Sequence, residues 1–280
     1  MSTRDVFSKG RQAWHVRALR LLREEACVEY ARRVVPPVVD GVHIQFPDTD
    51  VSLAPRISVR SRRIQGQPLM PMLYQPDMQD TALDLGMIAL QALHSADVTS
   101  ARFFVASWLY DLFRGPALAL DEMLLARLLS RAQRLKLNRL AARSALQTRP
   151  RDALVHGDLH AAHLIVDLDR HALGFIDLEA MRIGKASTNF AHLWNAFYFA
   201  DPSLGRRFYQ RFAEQFDDLI DEQFDNDVRI ELALRSYRHL QAAKRLSNEL
   251  LQPKAYRLLH SILEGASFHD ICFGEGPHGT

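Results

Sequence analysis

Most of this chain is written at helical spacing, and it leaves that spacing most sharply at residues 154–184, LVHGDLHAAHLIVDLDRHALGFIDLEAMRIG. Two short apolar runs, residues 164–166 and 172–176, are separated by the polar turn 167–171. That pattern predicts a β-hairpin in a helical setting. Two carboxylates flank it, Asp158 before the hairpin and Asp177 at its end. Any fold that accepts this segment must accept a hairpin whose two ends can carry acidic side chains to one point.

The surroundings set the fold class. Residues 13–33 place apolar residues at helical spacing with charges between them, which predicts an amphipathic helix. VVPPVV (34–39) ends it, because proline cannot continue a helix. Residues 42–46 and 57–64 read as strands joined by a polar loop containing Pro47 and Pro55. QGQPLMP (65–71) reads as a hinge. Helices follow over 80–95, 99–113 and 118–147, with Gly115-Pro116 as a break, and resume from about residue 189. The expected architecture is α+β, with a small mixed N-lobe over residues 1–68. A larger, mainly helical C-lobe over 69–280 carries the hairpin.

Composition removes several function classes. Hydrophobic residues make up 48% and charged residues 24%, the balance of a globular protein rather than a disordered one. No apolar run approaches the ~18 residues of a membrane span, and MSTRDVFSKGRQ has no apolar leader region. The two cysteines, Cys27 and Cys272, argue against a disulfide framework, so a cytoplasmic location is expected. A net charge of +2, with no zinc-finger or helix-turn-helix pattern, argues against nucleic acid as a partner.

A carboxylate before a hairpin and another after it suit phosphoryl transfer from ATP to a hydroxyl. The transition state is loose, so catalysis is mainly positioning and charge neutralisation. One carboxylate must orient the acceptor hydroxyl and take its proton. The other must hold Mg²⁺, which prefers hard oxygen ligands. Asp158 and Asp177 are placed for these roles.

HGDLHAAHLIVD followed by FIDLE resembles the catalytic loop and metal motif of the protein-kinase-like phosphotransferases. The branch is that of aminoglycoside phosphotransferases, choline kinases and bacterial lipopolysaccharide core-sugar kinases. LDLGMIALQALHS and RRIQGQPL resemble further segments of the same family, and the likeness runs from about Lys9 to Trp194. It implies a two-lobed kinase-like fold with ATP and Mg²⁺ as cofactors. It implies Asp158 as the catalytic base and Asp177 as the principal Mg²⁺ ligand, with His156 bracing the loop. It also implies Lys9 as the lysine on the α- and β-phosphates. Its helix partner would be Glu25, 16 positions on, with Glu24 as rival; two solvated surface charges are the plain alternative.

The chain departs from the family pattern at three places. Only eight residues precede Lys9, too few for a glycine-rich hairpin of about a dozen residues or more. A reduced N-lobe without that hairpin is therefore expected, unless the start lies upstream. His163 stands where a metal-binding asparagine is usual in aminoglycoside phosphotransferases, and imidazole suits Mg²⁺ less well. The histidine shifts weight to the core-sugar branch, with His163 and Asp177 as the cofactor-binding and metal positions. Asn189 stands where an aspartate often braces the catalytic loop.

Two other classes stay open from sequence. His156, Asp158, His160 and His163 are the right types for a zinc hydrolase. A pseudokinase, a binding module that kept the fold, would explain the missing phosphate loop and His163. For the acceptor, Arg206, Arg207, Arg211, Arg235, Arg238, Lys244 and Arg245 lie on two helical stretches. They would suit an acidic, lipid-linked core sugar, with peripheral contact at the inner membrane face; an ordinary solvated face is the alternative. FDDLIDEQFDND (216–227) would instead suit a cationic aminoglycoside.

Overall fold

The computed structural model describes residues 14–52, 58–62, 64–98, 129–146, 153–246 and 251–274. Helix α1 spans Trp14–Val34 and buries Cys27, Val28, Ala31 and Val34, one face at helical spacing. Strands β1 (Val38–Val39) and β2 (Val42–Gln45) pair antiparallel around Asp40 and Gly41. Both turn residues have positive φ, 47° and 77°, as a two-residue Asp-Gly hairpin turn requires.

The polar stretch expected as a loop contains a strand. β3 (Asp48–Ser52) pairs antiparallel with β4 (Ser58–Arg62), from Asp48↔Arg62 to Ser52↔Ser58. In DTDVS only Thr49 and Val51 carry the period-two signal of a strand. The ladder to β4 supplies what that weak pattern lacks.

β5 (Gln67–Pro68) precedes helix α2 (Gln79–His94) and, among the described residues, helix α3 (Arg131–Leu146). The helix expected over 99–113 and the first part of that over 118–147 lie outside the described residues.

The expected hairpin is present as β7 (Leu164–Asp167) and β8 (Ala172–Phe175), paired from Leu164↔Phe175 to Asp167↔Ala172. It forms the centre of a five-stranded sheet in the order β1-β2-β8-β7-β5. β2 runs parallel to β8, and β5 antiparallel to β7. This sheet joins strands from both sides of residue 68.

Two strands were not legible in advance. β6 (Ala153–Val155) pairs antiparallel with β9 (Arg182–Gly184). Their ladder closes the segment 156–181, so both aspartates lie on one excursion whose ends are hydrogen-bonded together.

Five further helices complete the described chain. They are α4 (Ala186–Ala200), α5 (Pro202–Gln215), α6 (Glu222–Leu246), α7 (Leu251–Glu264) and α8 (Phe268–Phe273). Their core is aromatic: Phe190, Trp194, Phe208, Phe212, Phe224 and Phe268 are all buried. Trp194 is therefore core, while Trp108 lies outside the described residues. Cys27 and Cys272 are buried free thiols. Among the described residues, no helix is long and apolar enough to cross a membrane.

Candidate active site

β6 is buried along its whole length and runs straight into His156, which is fully buried. Its Nε2–H donates to the Ile176 carbonyl (3.0 Å), since a carbonyl can only accept. Nδ1 is then free to accept the Asp158 amide at 3.4 Å. One ring thus ties the residue before Asp177 to the loop that carries Asp158. Burial, then the neighbouring His163, pushes the His156 pKa down to about 4, so the ring is neutral.

Asn189 on α4 completes the brace. Its Oδ1 accepts the His156 amide (3.1 Å) and its Nδ2 donates to the Leu154 carbonyl (2.8 Å). A carboxylate in that place could only accept, so the amide suits this backbone better than an aspartate would.

Gly157 turns the chain at φ 85° and packs against the Ala180 carbonyl. Asp158 follows, with its side chain half exposed. His160 caps the short turn Ala161–His163 by accepting the Ala162 amide on Nδ1 (3.2 Å), a structural role like that of His156. Asp177 takes a left-handed backbone, φ 60° and ψ 54°, a conformation tolerated by aspartate and typical of functional sites.

These turns bring three side chains together. Ligand atoms of Asp158, His163 and Asp177 all lie within 4.8 Å of one another. His163 Nδ1 is 2.8 Å from the Asp158 carbonyl, and its Nε2 is 3.6 Å from Asp177 Oδ2. Asp177 offers the hard oxygens that fit Mg²⁺, and His163 offers one nitrogen. Both nitrogens of His156 are engaged, and His160 is not among the ligand atoms that gather with Asp158 and His163, so the four-residue zinc cluster considered from sequence does not form.

Glu25 rides on α1, whose neighbour Arg23 donates from Nη2 to the Met181 carbonyl (3.3 Å). The helix bearing Glu25 therefore abuts the segment just after Asp177. Lys9 lies outside the described residues.

The residue that sequence reasoning misjudged is Arg235. It is 7% exposed, and its Nη2 donates to Asp158 Oδ1 at 2.8 Å. Burial is the largest single influence and would raise the Asp158 pKa, but the charge and hydrogen bond of Arg235 and the neighbouring histidines together outweigh it and hold the carboxyl below its ordinary value. The signal was present: Val228, Leu232 and Arg235 fall at i, i+4 and i+7 on the buried face of α6. An arginine in that row points inward.

Three of the other arginines have partners on the protein itself. Arg206 donates to the Cys272 carbonyl (3.0 Å), and Arg207 and Arg211 both pair with Asp80 at 2.5 Å. The side chains of Lys244 and Arg245 lie outside those described. The acidic run 216–227 is partly committed as well: buried Asp227 accepts from Lys185 Nζ at 2.9 Å.

The buried histidines predict acid sensitivity. Burial lowers His156 to about 4 and His192 to about 3, from 6.5. The unfolded chain takes up these protons near pH 6.5, whereas the folded chain resists until pH 4 or below. Their contribution is fully present above pH 6.5 and is lost as pH falls, at up to about 1.4 kcal/mol per pH unit for each ring. Urea midpoints at pH 7.5, 6 and 5 should fall steadily; a constant midpoint would contradict the neutral buried rings.

The model of the phosphotransferase enzyme family matches residues 12–225, and Arg235 lies ten positions beyond that match. No curated protein matches the chain. Similar solved structures include the GDP complex of wild-type aminoglycoside 2'-phosphotransferase-IIIa. It is 18% identical over 88% of this chain and 82% of that one, with a TM-score of 0.51. Another is the GDP and kanamycin complex of APH(2")-IIia, 18% identical over 87% and 83%, TM-score 0.53. A third is aminoglycoside phosphotransferase APH(4)-Ia, 15% identical over 89% and 83%, TM-score 0.55. At such identities the likeness establishes the fold, a two-lobed kinase-like α+β arrangement.

Proposed function

This chain belongs to the phosphotransferase enzyme family and is a kinase with a hydroxyl acceptor; on that premise we propose that it transfers the γ-phosphoryl group of ATP to a small molecule, with Asp158 as the base. The observation that carries the assignment is the convergence of Asp158, His163 and Asp177 on one point. Arg235 occupies Asp158 Oδ1 and leaves Oδ2 for the acceptor hydroxyl. As that hydroxyl attacks the γ-phosphorus, its proton passes to Asp158 and ADP departs. Asp177 and His163 are the residues that would hold Mg²⁺, whose charge orients and neutralises the β- and γ-phosphates. Lys9 and Glu25 retain the role of the phosphate-binding pair, on the nucleotide side of a division near residue 68.

For the acceptor, an aminoglycoside-like polyhydroxylated compound is the first reading. It is supported by the relatives whose structures hold kanamycin and hygromycin B. A sugar of the acidic lipopolysaccharide core is the second, and one observation favours it: the base is flanked by Arg235, and Arg238 is close enough to repel the Arg235 guanidinium. A cationic acceptor would have to approach those charges.

The test is ADP release from MgATP against aminoglycosides, core sugars and choline-like alcohols. Turnover with an aminoglycoside supports the first reading, and turnover with a core sugar alone supports the second. Full-length protein that binds no MgATP would overturn both.

A further inference from the structure

His163 is the member of the convergent trio whose chemistry suits Mg²⁺ least. Its Nδ1 lies 2.8 Å from the Asp158 carbonyl, and that oxygen can only accept, so Nδ1 carries a proton. In the neutral ring the remaining lone pair is on Nε2. It faces Asp177 Oδ2 across 3.6 Å, too far for a hydrogen bond and electrostatically unfavourable if nothing lies between. A metal cation between them removes the conflict, as a proton on Nε2 also would. Imidazole nitrogens and carboxylate oxygens bind such ions at about 2.0–2.2 Å, so two ligands of one ion stand roughly 3–4 Å apart. A ring whose second nitrogen is pinned to a backbone carbonyl is also how proteins orient metal-binding histidines. Asp158 is less suited to share the ion, because Arg235 already holds one of its oxygens.

With His163 as a ligand of the divalent cation that accompanies the nucleotide, we propose that its Nε2 moves the site's preference from Mg²⁺ toward Mn²⁺. Mn²⁺ keeps the oxygen-rich coordination that Asp177 and phosphates offer, yet accepts imidazole more readily than Mg²⁺ does. The inference rests on the phosphotransferase reading, because the phosphates complete the coordination.

The experiment uses the full chain with Mn²⁺ and ADP. Pulsed electron paramagnetic resonance reads nitrogen coupled to the bound Mn²⁺. The free Mn²⁺ signal during Mg²⁺ titration reads the preference. Wild type should show imidazole nitrogen coupling, and His163→Asn should lose it. The Mg²⁺ needed to displace half the Mn²⁺ should fall at least ~10-fold in that variant. His163→Gln, which keeps more of the side-chain length, gives the same comparison if the asparagine variant does not fold. Wild type without nitrogen coupling, or variants with an unchanged displacement curve, would overturn the inference. Nitrogen coupling without ATP turnover would count against the phosphotransferase reading alone. Turnover in Mg²⁺ with no coupling would count against this inference alone.

Discussion

Replacing Asp158 with asparagine is expected to lower kcat by ~10²- to 10⁴-fold, the range spanned by a lost general base. Nucleotide affinity should stay close to that of wild type, because the amide keeps the carboxylate's shape and can still accept from Arg235. Asp158→Ala should behave differently. It removes the acceptor from a guanidinium that is only 7% exposed, so it should lower the melting temperature as well as kcat. The comparison separates proton transfer from packing. An asparagine variant that kept more than about a tenth of wild-type kcat would remove Asp158 from the role of base.

The second large effect is expected at Gly157. An alanine there must adopt φ 85°, which costs about 1–3 kcal/mol for a residue with a Cβ. The new methyl group would also meet the Ala180 carbonyl and Cβ, and backbone cannot swing aside as the tip of a side chain can. Either the ladder between β6 and β9 loosens or the loop carrying Asp158 is displaced. Gly157→Ala should therefore lose about 3 kcal/mol or more in urea unfolding, together with most of its turnover. Gly41→Ala is a useful contrast: its φ is also positive, at 77°, but nothing lies within 4 Å of the added atom. It should show backbone strain alone and leave turnover intact. Equal losses at the two positions would show that Ala180 does not matter.

The parts of the site legible in sequence are those written locally. Residues 164–166 and 172–175 alternate with a polar turn, so the hairpin declares itself, and its two flanking aspartates come with it. Helix α1 is legible because its apolar spacing and Pro36 mark both its face and its end. What escaped reading depends on distant partners. β6 and β9 are three residues each, too short to carry a period, and exist because Val155 and Arg182 meet across the excursion. β3 is mostly polar and is held by β4. Arg235 had a composition-level reading, a charged helix face, that its i, i+4, i+7 register contradicts; only the fold shows what waits at the end of its side chain. The zinc reading failed for a related reason, since a row of histidines in sequence says nothing about which backbone group each ring finds.

The position of Arg235 on α6 also sets an order of events during synthesis. Both aspartates and the whole of β6–β9 are synthesised before residue 235. For that interval the nascent chain carries Asp158, the base we propose, without its guanidinium partner. The same dependence makes the C-terminal third a checkpoint. A chain halted before α6 would lack the guanidinium that holds Asp158, however complete its motifs.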